Sequence, residues 1–179
     1  MINIETTANY MPNDNTLLYT TEHEEPIKNV TASCCYMFLG NKIILANNRK
    51  RGLEISGGHV EHMETPEQAC TRETNEETGS IINSPKFFMT AIHTCLFDKP
   101  GNYKYPYPVS YINFYTCKDV KLTAFEETEE CKPPELIEFV IHENGATLLP
   151  NSNQVELVHD MLERNIYFNI FLKEAFLKG

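Results

Sequence analysis

Residues Gly57–Gly79 read GGHVEHMETPEQACTRETNEETG and carry the clearest structural signals of the chain. Six of its 23 residues are glutamates. On a helix that turns by about 100° per residue, Glu73, Glu76 and Glu77 fall within an arc of about 100°. Like charges at this spacing cost a few tenths of a kcal/mol per pair unless a cation balances them. The pattern therefore has two interpretations, a solvated acidic face and a site for a hard divalent cation such as Mg²⁺ or Mn²⁺.

The same stretch carries start and stop signals for a helix. Thr65 is a favourable N-cap, Pro66 suits the first helical position, and Gln68 three residues after Thr65 completes a capping box. Gly79 is a favourable residue for ending a helix. These signals predict a helix that begins at Pro66 and ends at Thr78.

The segments around this helix are typical of strands, joined by turns rich in glycine and proline. The predicted strands are Val30–Leu39, Lys42–Asn47 (paired with the first as a hairpin), Lys86–Phe97, Val109–Cys117 and Leu136–His142. The acidic segment just before Leu136 is predicted to be a loop, and Asn153–Asn165 has the apolar spacing of a second helix. This order predicts an α/β or α+β sandwich in which helices pack against a mixed sheet.

The whole chain, 1–179, is expected to form a single domain. Residues 1–28 are polar and mixed, which is typical of a flexible lead or a short outer strand. The tail 165–179 is apolar and is expected to be helical. Two interpretations of this tail stay open, because it could cover the core or contribute to a homodimer.

Charge, hydrophobic runs and cysteine spacing limit the classes of protein to which the chain can belong. The 179 residues carry a formal charge of −10, which disfavours nucleic acid as a partner. No apolar run reaches the roughly 20 residues that a membrane helix needs, and the first residues lack the features of a signal peptide. We therefore expect a cytoplasmic protein. Its six cysteines show no zinc-binding spacing and are expected to be free thiols.

Two segments are candidates for substrate binding. The basic cluster Asn47–Gly52 contains Arg49 and Arg51, which are either solvated turn residues or contacts for a phosphate. Tyr103 belongs to a loop with several tyrosines, and its ring could stack on a nucleobase. The alternative is that these tyrosines pack against neighbouring strands.

The glutamate-rich stretch resembles the Nudix box, Gly-x5-Glu-x7-Arg-Glu-U-x-Glu-Glu-x-Gly-U, in which U is a bulky aliphatic residue. All seven fixed positions are filled, by Gly58, Glu64, Arg72, Glu73, Glu76, Glu77 and Gly79. The chain is identified as a member of the Nudix hydrolase superfamily by this resemblance, which implies an α/β/α sandwich with a mixed sheet between helices. We call residues Gly58–Ser80 the box.

The box departs from the pattern at both U positions, which are Thr74 and Ser80. Those positions usually pack the box helix onto the sheet. We expect Ile81 to take over the packing role of Ser80, and the methyl group of Thr74 to pack in its own place. Neither change removes a metal ligand.

The resemblance implies metal-dependent hydrolysis of a phosphoanhydride bond in a nucleoside diphosphate linked to another group, such as a nucleotide sugar, an ADP-ribose-like compound or a (d)NTP. The implied ligands of Mg²⁺ or Mn²⁺ are Glu73, Glu76, Glu77 and the carbonyl of Gly58. Arg72 would orient Glu73, and Glu64 would brace the loop. Glu135, next to a later strand, is a candidate for a further catalytic carboxylate. The alternative function is a nucleotide-binding module that no longer cuts its ligand.

Overall fold

The computed structural model of the protein describes residues 1–8, 14–24, 26–27 and 30–179. Its strands are β1 (Asn3–Thr6), β2 (Asn15–Thr20), β3 (Ala32–Leu39), β4 (Lys42–Asn48), β5 (Gly52–Glu54), β6 (Ser56–His59), β7 (Ser80–Ile82), β8 (Lys86–Cys95), β9 (Val109–Cys117), β10 (Val120–Leu122), β11 (Cys131–His142) and β12 (Gly145–Leu149). The helices are α1 (Pro66–Thr78), α2 (Val155–Arg164) and α3 (Phe168–Lys178). Within the predicted lead 1–28, residues 9–13, 25 and 28 lie outside the described residues.

Ten of the strands form one mixed sheet in the order β1-β2-β8-β9-β3-β4-β11-β12, with β5 beside β4 and β6 beside β3. The pair β3–β9 is parallel, and the other pairs among the described residues are antiparallel. The predicted hairpin of β3 and β4 is confirmed. The short strands β7 and β10 form a separate antiparallel pair.

Side chains alternate along β3 and divide the core into two layers. Cys35 and Met37 pack in the same cluster as Cys70 of α1. Tyr36 and Phe38 point to the opposite face, where they pack with residues of α2 and α3. Helices therefore cover both faces of the sheet, and the predicted α/β/α sandwich is confirmed.

The predicted helix over Pro66–Thr78 is confirmed as α1. Thr65 Oγ1 accepts a hydrogen bond from the Gln68 backbone N–H at 3.2 Å, and Gln68 Oε1 accepts one from the Thr65 N–H at 2.8 Å. Gly79 ends the helix with φ of +66°, a conformation that glycine adopts without a steric cost. Local sequence signals alone therefore fix both ends of the helix that carries the box glutamates.

The expectation for Ile81 is wrong. Ser80 is fully buried, whereas Ile81 is 44% exposed. Thr74 is also fully buried, and Thr78 Oγ1 lies within hydrogen-bond distance of both the Thr74 carbonyl and Ser80 Oγ. These small polar groups satisfy one another under the helix, which lowers the cost of burying them where the family pattern has aliphatic residues.

Other differences from the prediction lie outside the box. β11 begins at Cys131, so part of the predicted acidic loop is strand, and a bulge between Lys132 and Glu135 accommodates two prolines within it. The sequence analysis did not predict β12, β7 or β10. The six cysteines are free thiols as expected, and five of them are buried. None of the described helices is long and apolar enough to cross a membrane.

Candidate active site

Arg72 lies at the centre of the box and binds three of its glutamates. Its Nε and Nη2 donate to the two carboxylate oxygens of Glu64 at 2.9 and 3.0 Å, and Nη1 donates to Glu73 at 2.7 Å and to Glu76 at 3.2 Å. Nη2 also donates to the His59 carbonyl at 2.9 Å. The hydrogen bonds from Arg72 lower the pKa of Glu64 and, in return, raise the pKa of Arg72. The guanidinium thus joins the loop before α1 to the helix itself.

Glu77 is held separately from the other box glutamates. Its Oε2 accepts hydrogen bonds from Ser56 Oγ and from the Gly57 N–H, each at 2.9 Å. Burial raises the pKa of Glu77 to about 7, against the lowering effect of these two hydrogen bonds. The charges of Glu54 and Glu73 raise this pKa further. The surroundings of Glu77 therefore favour its protonated form more than water does.

Gly57 and Gly58, just before and at the start of the box, leave room for different neighbours. A Cβ atom on Gly58 would lie 2.2 Å from Glu73 Oε1, so the carboxylate of Glu73 rests directly against the Gly58 backbone. A Cβ atom on Gly57 would lie 2.5 Å from the backbone oxygen of Ser33 on the neighbouring strand β3. Gly58 therefore makes space for a side chain of the site, and Gly57 makes space for the sheet.

Two site residues, Glu54 and Ser56, did not emerge from the sequence as functional candidates. The alternation of strand residues places Glu54, Ser56 and Gly58 on the face of the sheet that α1 covers. Arg51 forms a bidentate ion pair with the Glu54 carboxylate. Its Nη2 donates to Oε1 at 2.7 Å, and its Nε donates to Oε2 at 2.9 Å. Their spacing could have identified both residues from the sequence. Glu54, Ser56 and Gly58 are every second residue of an extended segment, so they share a face with a fixed position of the box.

The box offers oxygen donors that suit Mg²⁺ or Mn²⁺, since carboxylates and a backbone carbonyl are the ligands that hard cations prefer. The room at Gly58 for the Glu73 carboxylate supports this fit. In the structure Glu73 and Glu76 turn toward Arg72, and Glu77 turns toward Ser56, so the carboxylates do not converge on one point. Cation binding would therefore require them to rotate away from these partners.

A compact group of candidate metal ligands does occur elsewhere. In the described part of the chain, the only three such side chains whose ligand atoms all lie within 4.8 Å of one another are His159, Asp160 and Glu163. They lie on α2, and each side chain is more than 60% exposed. This spacing is ordinary for a solvated helix face, and nothing else in the structure points to a ligand there.

Glu135 lies away from the box. In the register of β4 and β11, Glu135 pairs with Leu45, and Leu136 pairs with Ile44. Ile44 and Leu136 belong to the cluster beneath α1, and Leu45 belongs to the core on the opposite face. The Glu135 carboxylate accepts a hydrogen bond from Gln154 Nε2 at 2.8 Å. The structure therefore does not bring Glu135 together with the box glutamates.

The two arginines predicted to contact phosphate are each paired with a carboxylate. Arg49 donates to the Glu127 carboxylate and, at 3.1 Å, to the Thr128 carbonyl. Arg51 is bound by Glu54 as described above, although 60% of its side chain is exposed. Of these two arginines, only Arg51 is linked to the box. Its partner is Glu54, whose negative charge raises the pKa of Glu77.

Tyr103 is part of an aromatic cluster in the loop between β8 and β9. Its ring meets those of Phe97, Tyr105 and Tyr107 at centroid distances of 5.8 to 6.3 Å. The residue that reaches the box is Tyr105, whose ring stacks on that of His59 at 5.3 Å and an interplanar angle of 10°. Tyr105 is thus a residue of this loop that contacts the box, and the role predicted for Tyr103 in substrate binding stays a prediction.

A cleft of about 1130 Å³ opens on the face of the sheet opposite α1. Its wall is rich in aromatic side chains, contributed by the sheet and by α3, namely Tyr19, Tyr36, Phe114, Phe168 and Phe171. Charged residues of α2 and of the turn before β5 line the same cleft, among them Arg164 and Arg51. Arg164 Nη2 donates to the Leu53 carbonyl at 3.1 Å and so fixes the end of α2 to β5. An aromatic wall beside a charged edge suits a nucleoside that carries phosphates.

Comparison with known proteins identifies the family of the chain. The model of the NUDIX domain matches residues 28–152, so the chain belongs to the Nudix domain family. The crystal structure of the Bacillus subtilis pyrophosphohydrolase BsRppH superposes with a TM-score of 0.61 at 22% identity, covering 90% of this chain and 98% of that one. A NUDIX hydrolase from Nitrosomonas europaea superposes with a TM-score of 0.52 at 16% identity, covering 82% and 86% of the two chains. At these identities the likeness establishes a shared fold.

One relative is similar in sequence over a shorter stretch. It is described as "Putative 8-oxo-dGTP diphosphatase YtkD" of Bacillus subtilis (strain 168), and it is 46% identical over 48 residues. The alignment covers 27% of this chain and 30% of that protein, which is less than a third of the relative's length.

Proposed function

We propose that this protein is a Mg²⁺- or Mn²⁺-dependent pyrophosphohydrolase that cleaves a phosphoanhydride bond of a nucleotide. The observation that carries the proposal is the packing of the Glu73 carboxylate of α1 against the Gly58 backbone. With Glu76 and Glu77 on the same helix, this packing places a hard donor set where a phosphate chain can approach a glycine turn.

The residues that would hold the cation are Glu73, Glu76, Glu77 and the carbonyl of Gly58. A divalent ion bound there would offset the charge of the phosphates and lower the pKa of a water molecule. In the structure Arg72 holds the Glu73 carboxylate through Nη1, a contact that Glu73 would give up on turning to the cation. Glu64 keeps Arg72 in place through two hydrogen bonds.

The reaction is a hydrolysis. The oxygen of a water molecule forms a bond to one phosphorus, the bond from that phosphorus to the bridging oxygen breaks, and the bridging oxygen leaves with the other phosphate. The proton of the water passes to a box carboxylate. Because three of the box glutamates stay close to Arg72, the excess negative charge of the site is partly balanced before the substrate arrives.

The substrate class that we favour is a nucleoside triphosphate, including an oxidised purine form. Two observations support it: the size and aromatic lining of the cleft, and the short sequence match to a protein described as an 8-oxo-dGTP diphosphatase. The nucleoside would occupy the cleft, and Arg51 and Arg164 at its edge would lie near the phosphates. Nucleotide sugars and ADP-ribose-like compounds carry the same diphosphate and compete with this class in the test.

A substrate panel with Mg²⁺ or Mn²⁺ tests the proposal, read as phosphate released after treatment with a coupled phosphatase. It contains dNTPs, 8-oxo-dGTP, ADP-ribose, nucleotide sugars and dinucleoside polyphosphates. We expect metal-dependent release from the triphosphates, and its loss in Glu77→Gln. Release from another class alone would replace the substrate assignment. Nucleotide binding by calorimetry without any release would support a binding module instead.

A further inference from the structure

The hydroxyl of Ser33 lies buried on β3, the strand that pairs with β6 at the start of the box. Ser33 is fully buried on β3, and its Oγ has no hydrogen-bond partner within the described ranges of the chain. A buried hydroxyl that makes no hydrogen bond loses its hydration without compensation. An unpaired group of this kind in a well-packed sheet calls for an account of what it binds.

The strand register places this hydroxyl beside the carboxylate of Glu73. Ser33 pairs with Gly58 in the antiparallel ladder of β3 and β6. Cβ atoms of directly paired residues lie about 4.5 to 5.5 Å apart on the same face of a sheet. The position that a Cβ atom of Gly58 would take is 2.2 Å from Glu73 Oε1 and 2.7 Å from Oε2. The side chains of Ser33 and Glu73 therefore converge over Gly58.

The polar neighbour of Ser33 on β9 already has partners. Asn113 pairs with Ser33 on the other side, across the parallel strands β3 and β9. Its Nδ2 donates to the Ile27 carbonyl at 2.8 Å, and its Oδ1 accepts from Thr90 Oγ1 at 3.3 Å. The side chain of Asn113 is thus engaged with other groups, whereas the Glu73 carboxylate lies over Gly58, the partner of Ser33 on its other side.

The site contains a parallel case. Ser56 lies two residues before Gly58 on the same face, and its hydroxyl donates to the carboxylate of Glu77. Ser33 is placed to do the same for Glu73. In the structure Glu73 Oε1 accepts from Arg72, so a cation that draws Glu73 away from Arg72 would leave this carboxylate in need of another donor.

We propose that Ser33 is a positioning residue of the metal site, whose hydroxyl donates a hydrogen bond to Glu73 when that carboxylate binds the cation. The inference rests on the proposed function, because it assigns Glu73 to the metal. Ser33 touches neither substrate nor cation, and it acts through the orientation of Glu73.

The test is Mn²⁺ binding by calorimetry to the full chain, without substrate, for the wild type, Ser33→Ala and Ser33→Cys. A hydrogen bond to a charged group predicts a dissociation constant raised about tenfold in Ser33→Ala. Ser33→Cys keeps a weak donor and should fall between the other two. The matched control is Thr31→Val, which removes the unpaired hydroxyl of Thr31 from the residue just before β3. Its dissociation constant should equal that of the wild type.

Thermal unfolding without metal separates this role from a structural one. We expect the unfolding temperature of metal-free Ser33→Ala to equal or exceed that of the wild type, because the substitution removes a buried group without a partner. Wild-type-like Mn²⁺ binding in Ser33→Ala, or an equal weakening in Thr31→Val, would overturn the inference. Failure of the wild type to bind Mn²⁺ would instead overturn the proposed metal site itself.

Discussion

Arg72 and Glu64 form a two-pronged ion pair, in which Nε and Nη2 of the guanidinium donate to Oε1 and Oε2 of the carboxylate at 2.9 and 3.0 Å. The side chains of both residues are mostly shielded, with exposed fractions of 24% and 14%. This pair fixes the plane of the guanidinium, so that the remaining nitrogen Nη1 points at Glu73. Glu64 therefore acts on Glu73 through Arg72.

Replacing Glu64 by Gln tests this relationship. We expect turnover to fall about tenfold or more and the free energy of unfolding to fall by about 1–2 kcal/mol, since one charged partner of a largely shielded pair is lost. The pKa of Glu64 is lowered in the folded state, so its contribution is present above the ordinary value of 4.5 and is lost as the pH falls through the folded-state pKa. Urea unfolding at neutral and acidic pH measures the loss of stability and its pH dependence, and steady-state kinetics measures turnover. A variant with unchanged stability at neutral pH and unchanged turnover would contradict this account.

Alanine substitutions at Gly57 and Gly58 are predicted to have different consequences. Gly58→Ala places a methyl group against the carboxylate at the end of the Glu73 side chain, so we expect a folded protein whose turnover falls by about a hundredfold, because the proposed ligand is displaced. Gly57→Ala places it against the Ser33 backbone, so we expect a loss of stability of about 2 kcal/mol or more. Gly101→Ala, with open space around it, is the control. Thermal unfolding and kinetics on all three variants check the contrast, which fails if Gly58→Ala unfolds and Gly57→Ala does not.

The buried carboxyl of Glu77 predicts a pH dependence of the metal-free protein. Its folded-state pKa of about 7 lies above the ordinary value of 4.5, so the folded state binds the proton more tightly than the unfolded chain. The contribution of Glu77 to stability is therefore present below pH 4.5 and is lost as the pH rises to about 7. Mn²⁺ should counteract this loss, because it binds the ionised carboxylate.

Unfolding temperatures in EDTA across this pH range measure the effect. Glu77→Gln removes the titrating group, so its stability should vary less between pH 4.5 and 7 than that of the wild type. Equal pH profiles of the two proteins would show that Glu77 titrates near its ordinary pKa.

The nucleoside has two alternative binding sites, the cleft and the tyrosine loop, which is the segment between β8 and β9 that carries Tyr103. Phe114 lines the cleft, with its ring 6.2 Å from that of Tyr19 and 6.4 Å from that of Tyr36. Phe114→Leu keeps most of the volume and removes the aromatic face, so we expect KM to rise about tenfold with little change in kcat. Tyr103→Leu should leave KM unchanged. Steady-state kinetics with the best nucleotide of the panel decides, and the reverse pattern would move the nucleoside to the tyrosine loop.

Local signals made the central helix predictable. The cap residues Thr65 and Gly79 act within one turn of the chain, so the limits of α1 follow from sequence alone. The likeness of Glu64, Arg72 and Glu73 to a known pattern extended that local knowledge to the fold class. Their roles in binding and catalysis remain predictions that the experiments proposed above address.

Features that depend on pairing between distant segments were not predictable in the same way. Glu135 seemed suitable as a carboxylate next to a strand, but the register with Leu45 sets the face of the sheet to which it points. Ile81 has the hydrophobicity of a core residue, yet the pairing of β7 with β10 leaves it partly exposed and buries Ser80. In both cases a shift of one residue in a strand exchanges its two faces, and no local signal fixes that choice.

The most direct test of the central claim compares two glutamates of α1. Glu76 fills a fixed position of the box pattern and lies beside Arg72, whereas Glu67 is exposed in the first turn and fills none of the fixed positions. With Mg²⁺ and the best nucleotide of the panel, we predict that Glu76→Gln loses about a hundredfold or more of its turnover and that Glu67→Gln keeps it. Near-normal turnover in Glu76→Gln would contradict the assignment of the box helix as the metal site.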